Sequence, residues 1–342
     1  MNSFITTLYP SVDLIDSVVF KDINADETIY FSKPFLKAFE VSNPQIEFKY
    51  ISIADADKNT VALALVQVIS LNVEGMLKNI KVAPFVRKGL GLLFCNEHIK
   101  IMFCGNVFLS GEHGISTSKN VSKKNIYSQI GTALDAVAAN TKQMHAIFIK
   151  DFKMASLVHT QSFLNFGYSE IKVEPNMIIQ LKPEWKTFED YKNILKSKYR
   201  VKANKADSKS STLETRLLYD QDFETYKHEL QALYQNTIDK ASFNAQVLNL
   251  NTYSHLSASL KDNFIVKGYF LDNRLVGFLT ALVNDNKLDA HFIGLDYELN
   301  KSHAIYPRIL NDYIRIGIEK QVDSINLGRT ASEIKTTIGA NP

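Results

Sequence analysis

Apolar positions along this chain fall into short runs broken by polar turns, and the order of those runs repeats. Residues 48–54 (FKYISIA) are rich in β-branched and aromatic side chains. Asp55, Asp57 and Asn59 then mark a turn, and residues 61–70 (VALALVQVIS) return as a second strand. Residues 264–271 (FIVKGYFL), the turn Asp272-Asn273-Arg274 and residues 275–283 (LVGFLTALV) have the same form. In both hairpins the second arm is almost wholly apolar, which predicts a central strand covered on both faces.

The echo continues downstream. Residues 99–109 (IKIMFCGNVFL) read as a strand, followed by a Gly- and Ser-rich loop (SGEHGISTSKNVS). A helix is expected over about 123–140, because Ile126, Ile130, Leu134 and Val137 recur at helical spacing, and a short strand over 145–150. In the second half, residues 287–295 (KLDAHFIGL) read as a strand and 296–302 as a loop. A helix over 303–320 places Ile305, Ile309, Tyr313 and Ile316 on one stripe, and 324–327 forms the next strand. Hairpin, strand, loop, helix, strand thus occurs twice, about 180 to 215 residues apart, far beyond the 20–50-residue period of a solenoid, so it signals a duplicated domain.

Between the halves, residues 177–181 read as the last strand of a first domain spanning 1–183, and 212–342 as a second domain. The connecting stretch 184–211 contains Thr187 three residues before Asp190, a helix-capping arrangement. It carries Lys192, Lys196, Lys198, Arg200, Lys202, Lys205 and Lys209 against Glu189, Asp190 and Asp207, the strongest charge concentration in the chain. It reads either as a solvated linker helix or as a helix that meets phosphate, with several cations on one face.

Composition narrows the picture. The 342 residues suit roughly two domains. With 45% hydrophobic and 22% charged residues the chain is globular rather than disordered. The 39 basic and 36 acidic residues leave +3, too small an excess for a dedicated DNA binder. Cys95 and Cys104 offer no metal-ligand spacing and read as buried or free thiols in a reducing cytosol. No apolar run approaches the length of a membrane span, and the N-terminus lacks the early basic cluster of a signal peptide, so a soluble, cytoplasmic protein is expected.

The residues resemble a known family. The run from Asn273 to Ala340 is similar to the GNAT-type acyltransferase domain of the Fem-like group, which includes bacterial peptidoglycan biosynthesis/recognition proteins that often carry two GNAT folds in tandem. The resemblance rests on Gly277 in the second hairpin arm, a strand bearing Asp289 and His291, Tyr306 at the start of the helix, and the tract Asn326-Leu327-Gly328-Arg329-Thr330. In the first half, Cys104-Gly105-Asn106 through Gly111-Glu112-His113-Gly114 is similar to that group's N-terminal repeat. It implies two tandem GNAT-like α/β domains with mixed sheets, and a splayed pair of central strands that holds an acyl donor. It also implies transfer of an acyl or aminoacyl group, from acyl-CoA, another carrier thioester or aminoacyl-tRNA, to an amine.

Two features depart from the family pattern. CoA-binding members place a Q/R-x-x-G-x-G/A loop before the helix that follows the central strand, where backbone N–H groups hold pyrophosphate. Here that stretch is 299–308 (LNKSHAIYPR), without glycine, and the similar-looking Gly89 and Gly91 (VRKGLG) have Val86 in place of the Q/R and precede a strand. Relatives also continue beyond the LGRT tract into a further strand, whereas this chain ends at Pro342, which points to a shortened C-terminus.

Candidate site residues follow. Asp289 and His291, two apart on one strand, point to the same face and make a carboxylate–imidazole pair suited to deprotonating an amine. His303 and Tyr306, expected in the first helical turn, are neighbours at i, i+3; the resemblance implies that Tyr306 protonates the leaving group. Arginine is scarce, and Arg308 and Arg329 are candidates for phosphate or carboxylate, Arg329 standing at a strand end where α/β ligands bind. Lys198, Arg200 and Lys202 are the candidate donor-phosphate contacts of the basic stretch. Glu112 and His113, in a glycine-flanked loop, are candidates for substrate binding in an interdomain cleft. No metal site, Ser–His–Asp order or P-loop motif occurs. The expected function is acyl transfer to the amine of an envelope precursor or small molecule, with an acyl carrier protein as a possible partner. The alternatives are an aminoacyl-tRNA-dependent transferase of Fem type and a non-catalytic module that recognises a glycan, nucleotide or carrier.

Overall fold

The computed structural model describes residues 4–23, 27–72, 98–119, 121–241, 244 and 246–342. Gly89, Gly91 and Cys95 lie outside them. The chain divides into two compact units, Met1–Lys172 with Ser242–Asn249, and Val173–Ala241 with Leu250–Pro342. Each holds a mixed sheet of six strands among the described residues.

Unit 1 begins with β1 (Ile5–Tyr9), α1 (Ser17–Asp22) and α2 (Lys33–Ser42). The predicted hairpin follows as β2 (Glu47–Ala54) and β3 (Thr60–Asn72), with the aspartate-rich turn between them closed by Asp55 Oδ1, which accepts the N–H groups of Asp57 and Asn59. Then come β4 (His98–Cys104), β5 (Ile115–Thr117), α3 (Lys123–Ala139), β6 (Met144–Ile149) and the short α4 (Leu157–Thr160). The sheet order is β1-β2-β3-β4-β6, with β5 also on β3 and β4–β6 parallel. Ile126, Ile130, Leu134 and Val137 of α3 are buried against Ile51, Ile53, Ala62, Ala64 and Val66, as the helical spacing predicts.

Unit 2 runs β7 (Ile178–Gln180), α5 (Phe188–Ile194), α6 (Ser197–Lys209), β8 (Glu214–Leu217), α7 (Gln221–Thr225), α8 (Lys227–Lys240) and α9 (Asn251–Leu260). It continues with β9 (Phe264–Leu271), β10 (Arg274–Asn284), β11 (Lys287–Leu295), α10 (Tyr297–His303), α11 (Ile305–Glu319), β12 (Ser324–Asn326) and α12 (Ser332–Thr336). The strand order is β7-β12-β11-β10-β9-β8, with the single parallel step at β11–β12. The apolar stripe of α11, Ile305, Ile309, Tyr313 and Ile316, packs on Val276, Leu279, Ala281 and Leu288 of the central strands. Gly277 lets this helix start close to the sheet, since a Cβ there would lie 2.7 Å from Ile305 Cγ2.

Three expectations need correction. The strand near 177–181 does not close the first domain: β7 pairs with β12 in unit 2. The basic stretch 184–211 is not a free linker. It forms α5 and α6, whose Tyr191, Leu195 and Ala203 belong to the core of unit 2, because two small alanines, Ala203 and Ala206, give a highly charged helix a face that can pack. The capping box between Thr187 and Asp190 does form. Finally, most of the stretch 296–302, expected to be a loop, is helical in α10 (Tyr297–His303), with Asp296 Oδ1 accepting the N–H groups of Glu298 and Leu299 as N-cap. His303 ends that helix and does not share the first turn of α11. Pro307 has no N–H and its ring would strike the carbonyl of His303, which disfavours one continuous helix. Ala304, at φ +48°, breaks the two.

Candidate active site

The second unit contains an opening in its sheet. β11 is nine residues long, yet β12 pairs with only its first three, Lys287, Leu288 and Asp289 opposite Ser324, Ile325 and Asn326. Beyond Asp289 the two strands part, and Ala290 to Leu295 have no ladder partner on that side among the described residues. Parting strands leave polar backbone and side chains at a point shielded by both walls, the usual place for a ligand in an α/β sheet.

A β-bulge sits just past the parting. Leu279 of β10 is opposite Ile293 and Ala281 is opposite Ala290, so Thr280 faces two residues, His291 and Phe292. Thr280 Oγ1 holds the bulge by donating to Phe292 O at 2.8 Å. Leu288, Ala290, Ile293 and Leu295 consequently stay on the side of α11. His291 packs against Tyr253 of α9 and Phe292 against Tyr234 of α8 on the other side. Asp289 alternates with Leu288 and lies on the α8–α9 side with His291, as the two-residue spacing predicts.

Asn326 is the residue that sequence reasoning left without a role. Its Nδ2 donates to Asp289 Oδ1 at 2.8 Å, and its Oδ1 accepts the Gly328 N–H at 2.9 Å. Gly328, at φ +74°, turns the chain there and brings the half-buried Arg329 to the end of β12. Gly328 O in turn accepts from the Met177 N–H at 3.0 Å and from Lys335 Nζ at 3.3 Å. Lys335 is 5% exposed, and burial lowers its ammonium to about 8. One carboxamide therefore ties the carboxylate at the parting strands to the turn that carries Arg329. The available signal was a polar residue between Ile325 and Leu327 at a strand end.

The other predicted residues lie on the opposite side of the sheet, around α11. Tyr306, in the first turn of α11, packs against the core. Burial, and after it the charge of Tyr297, push its hydroxyl up to about 12, so it remains a proton donor. It is not grouped with Asp289 and His291. His303 Nδ1 lies 3.2 Å from Thr212 Oγ1. Arg308 is spent on structure: its Nε donates to Asp312 Oδ1 at 2.9 Å, and Asp312 also meets Lys267 Nζ at 2.9 Å, Arg315 at 2.6 Å and the Tyr269 hydroxyl at 3.0 Å. Burial alone would raise the Asp312 carboxyl, but Lys267, Arg308 and Arg315 together hold it below the usual range. Arg315 also reaches Asp207 of α6 at 2.6 Å, so this cluster fixes the basic helix to α11.

The start of α11 does not fit the pyrophosphate of CoA. A backbone anion site needs several unspent N–H groups. Tyr306 N–H is bonded to Asn300 Oδ1 at 2.8 Å, Pro307 has none, and Arg308 N–H is bonded to Ala304 O at 2.9 Å. Beside it lies a groove of about 540 Å3 lined by α6, α10, α11 and α12. Lys202, Lys205, Lys209 and Lys301 form its rim, and Ala206, Pro307, Leu310 and Ile334 contribute apolar wall. Lys198, with its ammonium 5.0 Å from the Tyr199 ring, and Arg200, which donates to Asn193 O, stand outside that lining.

Glu112 and His113 belong to unit 1, in a loop that leaves the line of β4 and returns as β5. Glu112 Oε2 accepts from Ser156 Oγ at 2.8 Å and from the Lys153 N–H at 3.2 Å. The His113 ring lies over Tyr30, with centroids 3.9 Å apart. Both side chains hold the loop to its surroundings. Cys104, buried at the neck of the loop, has its thiol pushed up to about 12 by burial.

No protein-family model matches the chain, and no curated protein matches it in sequence. Solved structures do match in fold. FemX superposes with a TM-score of 0.57 at 9% identity, over 96% of this chain and 94% of that one. A conserved protein of unknown function from Bacteroides thetaiotaomicron gives 0.54 at 12% identity, over 99% and 97%. The C-terminal domain of a putative lysylphosphatidylglycerol synthetase from Agrobacterium fabrum gives 0.50 at 11%, over 94% and 82%. The chain shares the fold of these structures, two tandem GNAT-like α/β units, as its residues suggested.

Proposed function

We propose that the protein is an N-acyltransferase whose chemistry takes place in unit 2, where β11 and β12 part. The observation that carries this reading is the pairing of those strands over three residues only, with Asp289 and His291 on one face at the parting and a bulge aiming the imidazole away from α11. An acyl thioester laid in the opening exposes its carbonyl to an incoming amine. The amine nitrogen bonds to the carbonyl carbon, His291 assisted by Asp289 takes the proton the amine must lose, and collapse of the tetrahedral adduct breaks the C–S bond. The thiolate leaves with a proton from solvent. Arg329, fixed by Asn326 through Gly328, supports a carboxylate or phosphate of one substrate.

In this reading the donor is an acyl-CoA, acyl-carrier or comparable thioester, and the acceptor is an amine of a small molecule or envelope precursor. An aminoacyl ester of RNA fits the same chemistry with an oxygen leaving group. The test is product formation. The protein is incubated with acetyl-CoA, a long-chain acyl-CoA, an acylated carrier protein or a charged tRNA, each with a panel of amines, and N-acylated product is sought by mass spectrometry. Product from one donor supports the reading and names the donor. Binding of a donor with no product from any amine would favour the recognition module.

A further inference from the structure

We infer that the phosphates of this donor are held by side-chain ammonium groups in the groove between α6, α10, α11 and α12, not by backbone amides at the start of α11. The inference rests on the acyltransferase reading for the identity of the ligand, but its physical grounds are separate. The amides of Tyr306 and Arg308 are already bonded and Pro307 contributes none, so the helix start has little left to offer an anion. The groove beside it gathers Lys202, Lys205, Lys209 and Lys301 against one carboxylate, Glu333. All four lysines are exposed and line a volume of about 540 Å3, within the usual range of ligand pockets, with the Lys209 ammonium donating to Lys301 O at 3.0 Å.

The walls describe the rest of the ligand. Ala206, Ala304, Pro307, Leu310, Ile334 and Ile338 suit an apolar or ring-shaped body. Asn311, 1% exposed, borders the groove with its orientation fixed, because its Nδ2 donates to Ala203 O at 3.1 Å and Asp207 Oδ1 at 3.0 Å. Its Oδ1 has no partner and leaves one acceptor for a ligand N–H or O–H. A flat body bearing a hydrogen-bond donor and more than one phosphate is the chemistry of a nucleotide. That nucleotide is either the adenosine bisphosphate end of a CoA-type thioester or the end of an RNA strand. Lysines one helical turn apart reach phosphates spread along a chain as readily as clustered ones.

The two sources are separated by binding measurements on the full chain with adenosine 3′,5′-bisphosphate and with a short single-stranded RNA as probes, followed by calorimetry and fluorescence anisotropy. At least one probe is expected to bind, with affinity falling steeply with salt; for RNA the slope of log K against log salt should be about −0.7 per phosphate contacted. The variant carrying K202Q, K205Q and K209Q should weaken binding about tenfold or more and flatten the slope, while K287Q, a lysine outside the groove, changes neither. Binding of the bisphosphate alone assigns a CoA-type source, and of RNA alone an RNA source. Absence of binding by both probes, or full binding by the triple variant with an unchanged melting curve, overturns the inference. If the wild type nevertheless makes N-acylated product, only the phosphate site is wrong; lysine-dependent binding with no product from any amine removes the transferase and leaves the site.

Discussion

Both units contain a long central strand with a hairpin partner on one side and a parallel neighbour on the other, but the two sheets treat that strand differently. In unit 2, β11 runs unbroken along β10, interrupted only by the bulge at His291 and Phe292, and loses its parallel neighbour after Asp289. In unit 1 the corresponding line is cut. β4 follows β3 from Asn72 to Val66, the chain then departs for residues 105–114, and β5 resumes opposite Ala64. Leu65 closes the neck, its O accepting from Gly105 N–H and its N–H donating to Gly114 O, both at 2.9 Å. The parallel neighbour also stays attached: β6 pairs with β4 as far as Cys104 and Ile149, and the Lys150 N–H continues the ladder to Cys104 O. Lys150 Nζ then donates to the carbonyls of Asn106 and Leu109, and Asp151 accepts the Gly111 N–H. A ten-residue excursion and one half-buried lysine keep shut in unit 1 what is open in unit 2. Duplication of the fold therefore does not duplicate the opening; the local length of one strand ladder decides it.

Five substitutions would break or sharpen that contrast. The largest effect is expected from Asp312→Ala, which leaves Lys267, Arg308 and Arg315 facing one another without their shared carboxylate and should cost about 3–5 kcal/mol. Hydrogen exchange should locate the loss in unit 2; a uniform loss across both sheets would contradict this. Next, Asp289→Asn should lower turnover about 100-fold with little change in melting, because the general base His291 loses its assisting carboxylate. Glu112→Gln, which only weakens loop bonds in unit 1, should change turnover less than about twofold while costing about 1 kcal/mol of stability. Equal losses from the two variants would mean that both units carry chemistry.

Smaller effects follow. A Cβ at Gly114 would lie 2.7 Å from Cys104 O, so Gly114→Ala forces the neck of the excursion apart and should cost about 1–3 kcal/mol in denaturant titrations. If turnover rises as the neck loosens, unit 1 holds a latent site of its own. The smallest effect concerns Lys335. Its ammonium titrates near 8 when folded and at the ordinary 10.5 when unfolded. Between those values the unfolded chain binds the extra proton, so wild-type stability should rise with pH across that window. Lys335→Met removes the rise; a slope that survives in the variant would assign it to another group.

Much of this was legible in the residues because it depended on local pattern. Alternation and apolar runs located both hairpins, β11 and the apolar stripe of α11 within a few residues, and the two-residue spacing put Asp289 and His291 on one face. The errors arose where distant segments decided. Nothing near residues 178–180 says that they pair with β12, and two alanines among five basic residues gave no apolar stripe by which to place α6 in a core. The break at Ala304 was readable in principle, since Pro307 disfavours an unbroken helix through His303.

The sequence by itself determined the order of elements, their duplication, the two-domain plan and the residue types present at the strand ends, because periodicity and turn chemistry act over a few residues. Tertiary structure alone decided that β12 stops three residues along β11, that Asn326 links Asp289 to the Arg329 turn, and that Arg308 is consumed by Asp312. Those outcomes depend on which ladder ends first and which charge meets a buried partner, and both are set by contacts between residues far apart in the chain.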